Sequence, residues 1–123
     1  MGCHIEPSPD GKYIIQVVTG DLNCKLALAY NLKSHDLGRK LAINRFLVDL
    51  TRSRNVDTLP ANFCFARFDL KNTPEIDPAA RVALLVSPGD RSHNIVEKVS
   101  RNSGLDMTIF TDRYKAKQHL LAD

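Results

Sequence analysis

The residues best equipped for chemistry cluster just beyond three apolar runs. Thr51, Arg52, Ser53 and Arg54 follow residues 45–50; Ser87, Asp90, Arg91, Ser92 and His93 follow residues 81–86; Asp112 and Arg113 follow residues 106–110. Arginines beside a helix start can hold an anion together with backbone N–H groups. The same residues also read as a solvated rim of local ion pairs, each contributing little. Stronger signatures are missing. The chain has no Gly-rich phosphate loop, no dinucleotide-binding Gly pattern and no nucleophile elbow. His4, His35, His93 and His119 never fall four apart, and Cys3, Cys24 and Cys64 form no C-x-x-C pair, so neither a metal nor a cofactor is expected. Asp49 is the single inward-facing carboxylate candidate, and a cap on the following loop accounts for it. With no base–nucleophile pair in view, the expectation is a protein that is not an enzyme.

Those residues must be carried by regular elements, and the apolar runs show which. Residues 45–50 (Arg-Phe-Leu-Val-Asp-Leu), 81–86 (Arg-Val-Ala-Leu-Leu-Val) and 106–110 (Asp-Met-Thr-Ile-Phe) each precede a helix-like pattern. Near-continuous apolar runs suit strands buried on both faces, and strand–helix alternation implies parallel pairing, so the fold class is α/β. In open sheets of this kind ligands sit beyond the carboxyl ends of the strands, where the polar clusters above fall. At the N-terminal side, Ser8-Pro-Asp-Gly11 reads as a hairpin turn between a strand at residues 3–6 and another at 12–19, ended by Gly20. Asp21 then caps a helix carrying Leu22, Leu26, Ala29 and Tyr30, with its exit at residues 34–38.

Residues 51–57 read as a polar loop leading to a second helix, capped by Thr58 or Asp57, with Pro60 in its first turn. Its expected stripe is Leu59, Phe63, Ala66 and Leu70, widened by Phe65 and Phe68. Either Phe65 or Phe68 turned outward would mark a pocket or a dimer interface. Asp90 or Ser92 opens a third helix with Ile95, Val96 and Val99 inside, and Gly104 stops it. Asp112 caps a fourth, which buries Ala116 and Leu120.

The 123 residues suit a single domain, residues 1–123. The net charge of +3 comes from 17 basic and 14 acidic residues interleaved along the chain, which argues against nucleic-acid binding. The free-thiol reading of the cysteines, the lack of an apolar leader and the lack of about 18 consecutive apolar residues together predict a cytoplasmic chain with no membrane span.

The phrases Phe46-Leu-Val-Asp-Leu-Thr51, Arg81-Val-Ala-Leu-Leu-Val-Ser-Pro88 and Ser100-Arg-Asn-Ser-Gly-Leu-Asp-Met-Thr-Ile-Phe-Thr-Asp112 carry a family likeness. The chain resembles the SpoIIAA-like proteins, small bacterial relatives of the STAS (anti-sigma-factor antagonist) domain, from about Lys12 to Leu121. The resemblance implies a mixed sheet of about five strands with four helices packed largely on one face. It also implies a regulatory, protein-interaction role. Antagonists of that kind are switched by phosphorylation of a Ser in an Asp-Ser-Ser-Gly-like loop. The matching residues 50–55 lack the Asp-Ser pair and the Gly and carry two arginines. By position, the resemblance still implies Thr51, Arg52, Ser53, Arg54 and Thr58 as the candidate partner or phospho-switch residues, facing a protein partner or a second copy. The alternative is a carrier for a small apolar or anionic, lipid-like ligand, related to Sec14-type folds. Its candidate residues are Phe63, Phe65, Phe68, Asp90, Arg91 and His93.

Overall fold

A computed structural model describes residues 2–122. It places five strands in one sheet in the order β1-β2-β3-β4-β5. These are β1 (Gly2–Pro7), β2 (Ile14–Leu22), β3 (Arg45–Asn55), β4 (Arg81–Leu85) and β5 (Asp106–Phe110). β1 pairs antiparallel to β2 through the hairpin, and the other three pairings are parallel. The helices are α1 (Cys24–Leu41), α2, α3 (Asn94–Asn102) and α4 (Arg113–Leu121). The second of these, α2, is a composite: an α-helical start Leu59–Cys64, a π-helical turn Phe65–Asp69 and a last α-helical turn Leu70–Asn72.

The sidedness follows from connection handedness. Strands β2 to β5 are added in sequence order, always in one direction across the sheet. Right-handed crossovers then place α1, α2 and α3 on the same face. The helix α4 follows the last strand, makes no crossover and covers the opposite face. The larger core lies under the three crossover helices, where Val48, Leu50, Leu84 and Met107 meet Phe65, Ala66, Leu70, Val96 and Val99. A smaller core under α4 joins Tyr13, Leu47, Ala83 and Leu85 to Ala116 and Leu120. The fold class is thus the expected α/β mixed sheet, with four helices packed largely on one face.

Four local expectations are corrected. β2 does not end at Gly20; it continues to Leu22, with Gly20 at φ 89° inside it. Asp21 is consequently a strand residue, and α1 is capped by Asn23, whose side chain accepts from the Leu26 N–H at 2.8 Å. Residues 51–55 are not a loop: Arg52, Ser53, Arg54 and Asn55 pair with Thr19, Gly20, Asp21 and Leu22. The register slips once, between Val17 and Thr19, so that three residues of β3 span two of β2. Such a bulge reverses the alternation and lets Ser53 turn inward while Arg52 and Arg54 stay in water. Finally, α1 runs past residues 34–38 to a left-handed Ala42 at φ 58°.

The stripe of α2 also differs. Asn62, Phe65, Ala66 and Leu70 are buried, whereas Leu59 and Phe63 are 70% and 46% exposed. One extra residue in the π-turn shifts the phase, so a single 3.6-residue period places Ala66 and Leu70 inside correctly but turns Leu59 and Phe63 of the first turns to the wrong side.

Candidate functional site

The carboxyl ends of the strands hold most of the expected residues, stitched together by side chains. Ser87 Oγ donates to the Thr51 carbonyl at 2.9 Å, and Ser92 Oγ accepts the Asn55 N–H at 3.0 Å. These bonds tie the tip of β3 to the loop after β4. Thr51 is exposed, and its hydroxyl and N–H both reach Asp49 Oδ1, at 2.7 and 3.0 Å. Arg113 donates to the other carboxylate oxygen at 2.6 Å from the first turn of α4. Burial raises the Asp49 carboxyl, but the Thr51 bonds and the Arg113 charge outweigh it, and the group lies below its ordinary range. Asp49 is therefore a structural anion fastening a strand end to a helix start.

Ser53 is buried, and its hydroxyl donates to the Gly20 carbonyl at 2.7 Å. Thr58 caps α2, accepting the Ala61 N–H at 3.2 Å. Arg52, Arg54 and Arg91 are exposed and make no salt bridge among the described residues. Asp90 accepts the Ser92 N–H at 2.9 Å; burial raises its carboxyl, yet the Ser92 bonds leave it lowered. His93 is 3% exposed, and its Nε2 lies 3.6 Å from Asp90 without a hydrogen-bond partner. Burial holds this imidazole below its ordinary pKa against the pull of Asp90 and the Ser53 backbone.

Beneath α2 lies a network that sequence reasoning missed. Asn62 Oδ1 accepts from Asn55 Nδ2 at 2.7 Å and from Cys24 Sγ at 3.3 Å, while Asp57 Oδ2 accepts the Cys24 N–H at 2.9 Å. Cys24 opens a helix, a position that ordinarily favours thiolate. Burial and then the Asp57 carboxylate push it up to about 12 instead, so it stays a thiol. The two asparagines close to an apolar stretch were the available signal.

The network borders a partly open cavity of about 80 Å³ between the sheet and the three crossover helices. Of the expected ligand residues, Phe65 and His93 line it, and Phe63, Phe68, Asp90 and Arg91 do not. Phe63 and Phe68 instead face water, 46% and 50% exposed, with Leu59 at 70% and Val56 at 54% close by in sequence. Among the described residues no group of three or more His, Cys, Asp or Glu is placed to hold a metal ion, and no helix is long and apolar enough to cross a membrane.

This sheet order, with a hairpin edge, parallel crossovers and polar strand tips, defines a SpoIIAA-like α/β fold. The chain is similar to an uncharacterised protein of the DUF3478 family from Shewanella loihica PV-4, whose crystal structure is described as having a SpoIIAA-like fold. The two are 23% identical with a TM-score of 0.56, over 97% of this chain and 92% of that one. No family profile and no curated protein matches the sequence.

Proposed function

We propose that this chain is a non-enzymatic interaction domain that docks a protein partner through the outer face of α2. The observation that carries the reading is the exposure of Leu59, Phe63 and Phe68 on one short helix whose buried side is already filled. Large aromatic and aliphatic groups left in water on one element mark an interface more often than chance placement does. Arg67, Asp69 and Lys71 are exposed on the same helix, so the matching surface is an apolar pocket with a rim of mixed charge, acidic opposite the two cations. Of the switch candidates' hydroxyls, Thr51 and Thr58 are exposed, and that of Thr58 is engaged in capping α2. A phosphate on Thr51 would sit beside the Asp49 carboxylate and compete for Arg113.

The test is a photo-crosslinking residue at position 63 in the native host, with Leu59→Glu as the control. A discrete crosslinked species that disappears with Leu59→Glu supports docking. A monomer by sedimentation together with no crosslink at any growth stage overturns it, and a crosslink to the chain itself assigns the face to a homodimer. A phosphate mapped to Thr51 by intact mass and peptide analysis supports the switch. The lipid-like or anionic carrier gains less from the geometry: the cavity is about half the ~150 Å³ that takes a benzene, and no Arg or Lys lines it.

A further inference from the structure

The cavity under α2 has a chemistry of its own. Its walls are largely apolar, with Val48, Leu50, Leu84, Phe65 and Met107 around it. Polar side chains interrupt those walls, among them Asn31, Asn55, Asn62, His93 and, on β2, Gln16. Its side chain projects from the middle of β2 into the helix-covered layer and is 3% exposed. Its carbonyl oxygen accepts from Ser34 Oγ on α1. That is the one hydrogen bond the Gln16 side chain makes among the described residues, so its amide N–H₂ is left at the cavity wall. The enclosed lining atom without a partner is His93 Nε2, whereas the Gln16 amide faces the open space of the cavity, where an acceptor would complete its pairing.

Charge narrows the occupant. The lining residues include no Arg or Lys, and the carboxylates among them belong to Asp77 and Asp106. The two lining imidazoles, His35 and His93, are held neutral by burial. An anion would meet no counter-charge there, and desolvating it would go uncompensated. Size narrows it further. A buried water needs about 10–15 Å³ of such space, so the 80 Å³ cavity accommodates roughly five non-hydrogen atoms.

We propose that this cavity is a binding site for a small uncharged molecule bearing an acceptor oxygen, such as a short ketone, ester or alcohol, which the Gln16 amide orients. This goes beyond partner docking and is independent of it, because Leu59 and Phe63 do not line the cavity. Ordered water is the competing occupant.

The probe is butanone, with butyrate as its charged counterpart, added to the isotope-labelled full chain. The readouts are the methyl resonances of Val48, Leu50, Leu84 and Met107 and the side-chain amide resonance of Gln16. The expected result is saturable movement of both sets with butanone at millimolar concentration and none with butyrate. Gln16→Met should weaken butanone binding at least about five-fold while xenon still shifts the same methyls. No saturable shift with butanone means that water holds the cavity and overturns the proposal. So does butyrate binding as well as butanone, or Gln16→Met binding butanone undiminished. Should Gln16→Met not fold, the wild-type amide resonance decides: methyls that move while the Gln16 amide stays fixed remove its role.

Discussion

Single residues set the conformational limits of the helix-covered face. Gly38 lies in the last turns of α1, where an added Cβ would stand 2.5 Å from the Ile43 carbonyl and 3.0 Å from the Phe46 ring. The backbone neighbour cannot yield as a flexible side-chain tip would. Gly38→Ala should therefore lower stability by about 1–3 kcal/mol in urea unfolding, despite alanine's better helix propensity. Four residues on, Ala42 holds φ 58° while its N–H closes the helix onto Arg39 and Gly38. A left-handed terminator ordinarily calls for glycine, so Ala42→Gly should raise stability by about 0.5–1 kcal/mol in the same assay. Opposite outcomes at two neighbouring small residues would show that contact and backbone conformation, rather than composition, govern this corner. The Gly38 site was only partly legible: Ser34-His-Asp-Leu-Gly38 reads as a helix exit, and the close neighbours that exclude a Cβ there, Ile43 and Phe46, come five and eight positions later.

Elements differ in how much of their placement is local. The strand cores at residues 45–50 and 81–85 were legible because burial on both faces demands unbroken apolar runs, and β5, a partly buried edge strand, was legible from its short apolar run before a helix cap. The tail of β3 was not, because Thr-Arg-Ser-Arg-Asn is a polar loop by composition. It becomes a strand by pairing with residues 19–22, thirty-three positions earlier. The phase of α2 was hidden by its π-turn, and with it the outward set of Phe63 and Phe68. The helix α4 was legible through its Asp112 cap and its Ala116–Leu120 pair, but not through what grips its far end. Arg81 donates to the carbonyls of His119 and Ala122 at 3.1 and 2.5 Å, and Arg45 donates to those of Leu120 and Ala122. Two guanidinium groups thus satisfy carbonyls that a helix C-terminus leaves unpaired and complement its dipole. Replacing both Arg45 and Arg81 by Ala should speed amide exchange across residues 117–121 while leaving β3 and β4 protected. Leu120→Ala, which empties a fully buried position, should cost about 2–5 kcal/mol of global stability. If the double variant exchanged no faster than wild type, the arginine grip would be ornamental.

Across the whole molecule, the shifted histidines and carboxylates act in one direction at acid pH. His35 is buried, stacks on Phe46 at 4.3 Å and accepts the Asp77 N–H on Nδ1 at 3.1 Å, joining α1 to the segment before β4. Burial holds it at about 4, against 6.5 when free, with Asp77 raising and Arg39 lowering it to lesser degrees. The unfolded chain therefore binds a proton at higher pH than the folded chain does. The stability that His35 contributes is fully present above about pH 6.5 and is lost as pH falls towards 4. One group with this displacement changes unfolding free energy by about 2 kcal/mol between pH 7 and pH 5. His93, likewise lowered, adds to the same slope. The lowered carboxyls of Asp49, Asp57 and Asp90 act in a second stage. Their contribution is present above the free value of 3.8 and disappears only below it. Urea midpoints measured from pH 7 to pH 3 should thus fall in two steps, the first belonging to the imidazoles. His35→Gln keeps an acceptor for the Asp77 N–H but cannot titrate. It should flatten the first step by about 2 kcal/mol and leave the second in place. A first step of unchanged size in that variant would mean that His35 is not the buried neutral base described, and that the link from α1 to residues 76–80 has another origin.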